Sequence, residues 1–325
     1  MKSAVDESGT RCRGAPEDDR HNSFNEDKDM QFKPTDRKNA GSELMALVTE
    51  KLVQQMEKVG TDWNKPFRSM AHLPINAITG EEYHGSNTLL LMMGTDDSEF
   101  AGYQQWASKG AQVRKGEKGH VILRPAIAKD KNDPDKTFIK GFYPAYVFGR
   151  SQVDNAPDPI YTEKRVDLTQ AIQQADSYFD KVGATVIEGD GGRAFYAPEP
   201  DSITMPPRAA FTDTATSTAT ECYYGTLAHE HVHWTGRKTR LDRLKFQRWG
   251  DELYAFEELV AEIGATFLCV KLGISNEPRA DHAQYLNGWI KNLKKDPDAL
   301  FKAASQAQKA VEYLDNLQTS AAIAA

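Results

Sequence analysis

Leu227-Ala228-His229-Glu230-His231-Val232-His233-Trp234-Thr235-Gly236 decides how the C-terminal half of this chain is read. Within it stands H-E-x-x-H. A helix carries residues i and i+4 one turn apart on one face, so the imidazoles of His229 and His233 can reach one metal ion. Glu230 falls beside them, placed to take a proton from a metal-bound water and pass it to a leaving amine. The frame agrees: a helix over 221–235 follows a Thr-rich stretch whose hydroxyls suit capping, and stops at Gly236. His231 points away from the pair, and its spacing predicts an exposed or supporting position rather than a ligand. Cys222, seven residues before His229, shares its face and reads as small buried filler.

Two histidines leave a tetrahedral ion short of a protein ligand, so a third is sought downstream. In Phe256-Glu257-Glu258-Leu259-Val260-Ala261-Glu262-Ile263, Glu258 and Glu262 share one helical face with the small residues Ala255, Ala265 and Thr266. Leu253, Phe256, Val260, Ile263 and Phe267 mark a separate apolar stripe. Small residues beside two carboxylates let this helix approach the histidine helix closely. Glu258 is therefore assigned as third ligand and Glu262 as the carboxylate that orients a ligating imidazole. Glu257, about a quarter-turn off, is the alternative for either role. Zinc heads the candidate ions, with manganese or another divalent metal compatible, because donor type discriminates poorly along the Irving–Williams order. Paired histidines with one carboxylate favour amide hydrolysis, whereas nucleases cluster carboxylates for magnesium. On the next helix, Tyr285 and His282 are the nearest aromatic candidates for stabilising an oxyanion.

A chain of 325 residues suggests two domains, and 39% hydrophobic residues suffice for their cores. The class is α+β. Residues 1–40 are charged and polar, with Phe24 and Phe32 their only aromatics, and read as a disordered tail. The first domain, 41–153, holds a helix over 42–59, a turn at 76–80, a Leu/Met-rich helix over 88–93, a short helical entry at 102–106, and strands over 121–125 and 142–148. A Pro- and Asp-rich linker, 154–163, leads to the second domain, 164–318. There the reading is a helix over 168–182, a strand over 184–187 and an antiparallel ribbon within 193–205. The helices over 221–235, 252–272 and 282–317 follow, the last interrupted at Asp296-Pro297. No run of about 18 apolar residues occurs, and the start lacks a signal-peptide layout. Cys12, Cys222 and Cys269 form no CxxC, which fits reduced thiols in the cytoplasm.

The net charge of -7 argues against a surface that grips nucleic acid everywhere, so charge is read locally. Over 103–124, Lys109, Arg114, Lys115, Lys118 and Arg124 oppose only Glu117. Tyr103 and Trp106, and earlier Trp63 and Phe67 with Lys65 between them, can stack on unpaired bases while the cations follow phosphates. The Gly-bracketed loop 114–119 can bring backbone N–H groups to a phosphate, but lacks the frame of a nucleotide P-loop.

Leu227-Ala-His-Glu-His-Val-His-Trp-Thr-Gly236, Arg240-Leu-Asp-Arg243 and Glu257-Glu-Leu-Val-Ala-Glu-Ile-Gly-Ala265 together resemble the zincin-like C-terminal domain of ArdC-type antirestriction proteins of conjugative plasmids. His231 stands where that pattern has an aliphatic residue. Trp63-Asn-Lys-Pro-Phe67, Asn76-Ala-Ile-Thr-Gly80, Tyr83-His-Gly-Ser-Asn87 and Val113-Arg-Lys-Gly-Glu-Lys-Gly119 resemble the single-stranded-DNA-binding domain of the same family, shared with TraC-type plasmid primases. The resemblance covers about 44–317. It implies a two-domain protein that binds single-stranded DNA and protects incoming plasmid DNA from restriction during conjugation. It also implies metal ligands at His229, His233 and the Glu257/Glu258 region, with Glu230 as general base. Two functional expectations follow. An intact Glu230 points to a peptidase acting on a host restriction or defence protein, with the ribbon in 193–205 able to pair with an extended peptide. The competing expectation is a non-enzymatic DNA-binding protein whose metal is structural.

Overall fold

The computed structural model describes residues 40–59, 72–129, 133, 136–161, 168–189, 192–214, 217–245, 252–274 and 282–324. The tail and the roles expected of Trp63, Lys65 and Phe67 lie outside these residues, as do the side chains of His282 and Tyr285.

In the N-terminal domain the elements are α1 (Ala40–Val59), β1 (Ile75–Asn76), α2 (Ser86–Gly94), β2 (Glu99–Ala101), α3 (Tyr103–Ser108), β3 (Gln112–Val113), β4 (His120–Lys129), β5 (Thr137–Gly149) and β6 (Val153–Asp154). Helical spacing puts Leu44, Val48, Leu52 and Met56 of α1 on one buried face. The run Thr88–Met93 of α2 is buried throughout, as an all-round apolar helix requires. Four strands form a sheet in the order β1-β2-β5-β4, with β3 and β6 pairing separately. At the turn after β1 the Asn76 side-chain carbonyl accepts from the amides of Ile78 (3.0 Å) and Thr79 (3.1 Å). β4 and β5 pair from His120↔Val147 out to Lys129↔Thr137, several residues beyond the strands expected from apolar content, because the outer rungs continue past the core.

The C-terminal domain comprises α4 (Leu168–Val182), β7 (Thr185–Glu188), β8 (Phe195–Ala197), β9 (Ser202–Met205), α5 (Ala219–Thr235), α6 (Glu252–Leu272), α7 (His282–Lys295) and α8 (Ala299–Ala324). β8 and β9 are the antiparallel ribbon, while β7 flanks β9 on its other side and runs parallel to it. Thr218 caps α5 in a reciprocal box with Glu221: its hydroxyl accepts from the Glu221 amide (3.3 Å), and its own amide donates to the Glu221 carboxylate (2.8 Å).

The two domains share one core. Leu44, Leu52, Leu89 and Met92 belong to the same apolar cluster as Trp289, Leu293, Leu300 and Val311. Hydrogen bonds cross the same boundary, from the Thr49 hydroxyl to the Pro297 carbonyl (2.6 Å) and from Lys294 to Glu57 (2.6 Å). No described helix is long and apolar enough to cross a membrane.

Candidate metal centre

α6 crosses α5 at close range because glycine and alanine line the contact. A Cβ built on Gly264 would stand 2.8 Å from Cγ2 of Val232, a stiff side chain with no exposed surface. An alanine at a helix interior normally stabilises by about 1 kcal/mol over glycine, but the overlap here costs about 1–3 kcal/mol. The balance of about 0–2 kcal/mol means that Gly264→Ala is expected to lower the melting temperature by up to a few degrees, read by thermal denaturation; a higher value would deny the close approach.

At this crossing two imidazoles and a carboxylate converge. The Nε2 atoms of His229 and His233 are 3.1 Å apart. Glu258 sets Oε2 3.5 Å from Nε2 of His229 and Oε1 3.4 Å from Nε2 of His233. Among the described residues these three form a metal-compatible group, with one atom from each within 4.8 Å of the others. Donors bonded at 2.0–2.1 Å to a tetrahedral ion stand about 3.3 Å from one another, so the separations suit zinc or an ion of similar size. Behind each ring stands another carboxylate. Nδ1–H of His233 donates to Glu257 (3.2 Å), and Glu262 lies 3.7 Å from Nδ1 of His229, an ion-pair distance that is long for a hydrogen bond. Of the three glutamates only Glu258 faces the Nε2 pair, while Glu257 and Glu262 each back one histidine.

Electrostatics favour a cation here. Burial pushes His233 toward neutrality, yet Glu258 and Glu257 outweigh it and raise its pKa to about 10. Burial likewise pushes Glu258 up, but His233 and His229 hold it well below the usual carboxylate range.

Glu230 is buried on α5 beside His229. His231 corrects the expectation of an exposed or supporting role. It is fully buried, its Nδ1–H donates to the Leu227 carbonyl (2.8 Å), and its ring lies 4.5 Å from that of Phe179. Burial lowers its pKa to about 4, so it stays neutral. It is a core residue on the far side of the helix from the metal centre. Cys222 is half-buried.

Sequence reading missed two arginines. Arg243 donates to Glu257 through Nη2 (3.0 Å) and Nε (3.2 Å), to the Thr235 hydroxyl (2.8 Å) and to the Val232 carbonyl (2.6 Å). Burial pushes the Glu257 carboxyl up, but His233 and then Arg243 outweigh it and hold it below the usual carboxylate range. Arg240 lies 3.8 Å over the Trp234 ring and donates to the Tyr196 hydroxyl (2.9 Å) and to Asp201 (3.0 Å), tying the β8–β9 turn to the end of α5. Their only signal was the Arg240-Leu-Asp-Arg243 motif, which sits in a turn where no periodicity assigns a face.

The expected DNA contacts separate. Tyr103 is 47% exposed, with its hydroxyl accepting from Gln112 (3.1 Å). Trp106 is a correction: it is 0% exposed, its Nε1–H donates to the Phe148 carbonyl (3.0 Å), and it packs with Ala77, Ala101 and Val113, so no base can stack on it. Lys109, Lys115 and Lys118 are exposed. Arg114 is exposed but engaged, with Glu117 at 2.9 Å, Asp154 at 3.6 Å and the Ser151 carbonyl as partners. Gly116 turns this loop at φ +92°, a conformation that suits glycine.

A histidine-bearing helix crossed by a glutamate-bearing helix, beside a small mixed sheet, defines a zincin-like domain, here joined to an α+β partner. Residues 173–306 match the zincin-like metallopeptidase family, and residues 42–156 match the N-terminal domain of the anti-restriction factor ArdC. The chain belongs to the ArdC antirestriction family. It is similar to the antirestriction protein ArdC of plasmid R388, whose Mn(II)-bound crystal structure superposes with a TM-score of 0.68 at 33% identity, over 84% of this chain and 97% of that one. A metal-free structure of the same protein gives a TM-score of 0.68 over 85% and 98%. A DNA primase TraC of Escherichia coli is 37% identical over 82% of this chain, which spans only 19% of the primase's length. An uncharacterised protein of Sinorhizobium fredii, y4eC, is 31% identical over 84% of this chain and 92% of its own length.

Proposed function

We propose that this chain protects incoming plasmid DNA by binding it single-stranded through the N-terminal domain, and that His229, His233 and Glu258 hold a divalent ion, zinc first among the candidates, for hydrolysis of a peptide bond in a host restriction or defence protein. The carrying observation is the convergence of the two Nε2 atoms on both oxygens of Glu258. A Mn(II)-bound relative supports a divalent ion. When bound, the ion would polarise the scissile carbonyl and acidify a water. Glu257 and Glu262 orient the histidines so that both present Nε2. Glu230, next to His229, takes the proton released on attack and returns it to the leaving amine. For DNA, Lys109, Lys115 and Lys118 meet phosphates and Tyr103 meets a base. The compartment for such a role is the cytoplasm.

A second reading has its own support. His229, Glu230, His233 and Glu258 are each at most 9% exposed, whereas a catalytic metal keeps an open position. In that reading the ion stabilises the fold and DNA binding alone protects. Glu230→Gln separates the two. Loss of the base lowers peptide hydrolysis about 10²–10⁴-fold, so under the peptidase reading protection collapses while metal content stays at wild-type level. Unchanged protection with full metal content would assign the centre to stability.

A further inference from the structure

β4 and β5 extend beyond the core as a two-stranded ribbon; Gly41 of α1 packs against Phe142 on one face, and among the described residues the face of Tyr143 and Phe138 stays exposed. In register, Arg124 lies opposite Tyr143 and Ala128 opposite Phe138, on one face; Pro125 lies opposite Phe142 and Ile127 opposite Ile139, on the other. Tyr143, Phe138, Phe142, Ile127 and Ile139 are 43–66% exposed. An isolated hairpin is marginally stable in water, and an exposed apolar patch of this kind marks an interaction site. Its charge says what it contacts. The 23 residues of the two strands, 10 and 13 long, contain no aspartate or glutamate in a chain of net charge -7. They carry the exposed cations Arg124, Lys129 and Lys140. The register shift between Ala126 and Ile127 leaves Lys140 as the extra residue of a bulge, a device that re-aims a side chain.

Flat exposed rings interleaved with cations, on strands free of carboxylates whose connecting segment 130–136 sets Asp130, Asp133 and Asp135 against Lys131 and Lys136, suit unpaired bases on a phosphate backbone. A base-paired duplex offers no free ring faces, and a peptide joining the ribbon edge would be held chiefly by main-chain hydrogen bonds, which need neither the rings nor the cations. We infer that the outer β4–β5 ribbon is a stacking platform for single-stranded DNA, with Phe138 and Tyr143 taking bases on one face, Arg124 on that face and Lys140 at the bulge taking phosphates, and Lys129 reaching the backbone from the terminal rung, Lys129↔Thr137. This rests on the DNA reading above and moves the principal contact from the loop 114–119 to the ribbon.

The test is fluorescence anisotropy of the full chain with a labelled oligodeoxythymidylate of about 20 nucleotides, longer than the site of a small single-strand-binding fold. Each lost stack weakens binding about fivefold or more, so Phe138→Ala with Tyr143→Ala is expected to weaken it about 30-fold or more. Phe138→Tyr with Tyr143→Phe keeps both rings and retains wild-type affinity. Lys129→Gln with Lys140→Gln lowers the slope of log affinity against log salt by about 1.4, two phosphate contacts at about 0.7 each. If the alanine pair melts early, the lysine pair and the ring-preserving pair carry the test. Wild-type protein that binds the oligonucleotide while the alanine and lysine pairs bind equally well would overturn the ribbon and leave the DNA reading intact. Wild-type protein that fails to bind at low salt would overturn both. Self-association abolished by the ribbon variants, with DNA binding untouched, would also overturn the inference, by reassigning the ribbon to a contact between copies.

Discussion

Glu258→Ala is expected to lower the affinity for Zn2+ or Mn2+ well beyond 100-fold, whereas Glu257→Gln and Glu262→Gln each cost about 10–100-fold, the range for residues that orient a ligand. The ranking follows from which nitrogen each carboxylate faces. Glu258 offers one oxygen to each Nε2, at 3.5 and 3.4 Å, so its loss removes a donor and the charge that balances the ion. Glu257 and Glu262 approach only the Nδ1 atoms, at 3.2 and 3.7 Å, so their loss frees the rings to turn but leaves three donors. Competition against a chelating dye measures all three variants on one scale. Wild-type affinity in Glu258→Ala, or a deeper loss in Glu257→Gln, would reassign the third ligand.

The second large effect concerns stability. Arg243→Met keeps the length and apolar stem of the side chain but strips Glu257 of the one cationic partner it has besides His233 among the described residues, in a site where the arginine and glutamate side chains are 6% and 3% exposed. Breaking a buried pair from one side costs about 3–5 kcal/mol, since the remaining charge loses its partner without regaining water. The Thr235 hydroxyl and the Val232 carbonyl lose a donor as well. For a unit of this size that is a fall in melting temperature of about 10 °C. Arg243→Lys restores the charge but not the forked geometry, and recovers only part. Arg243→Met melting within about 2 °C of wild type, a shift worth no more than about 1 kcal/mol, would show that the network contributes nothing to the fold.

The convergence of His229, His233 and Glu258 was legible in advance because a helix converts spacing into direction. His229 and His233 declare their shared face, Gly236 its end, and the small residues of α6 mark a helix able to come close. The division of labour among the glutamates was not legible in full: Glu257 and Glu258 differ by 100° of helix rotation, and only the packing of α6 on α5 sets where that rotation starts. Trp106 shows the opposite failure. In a six-residue helix a buried indole and an exposed one give the same pattern, and the burial of Trp106 is decided by Phe148 and Val153, more than 40 residues away. The parallel placement of β7 beside β9 escaped notice because alternation within a strand says nothing about the direction of its neighbour. The ribbon was read too short for a related reason: strand signals weaken where polar residues such as Lys129, Thr137 and Lys140 replace core contacts.

The shared core has a consequence for how this architecture is inherited. Cutting between 154 and 163 would bare Leu44 and Leu52 on one piece and Trp289 and Leu300 on the other, so each half is poorly fitted to travel alone. The TraC primase preserves both together, matching this chain over 291 residues while devoting most of its own length to other business.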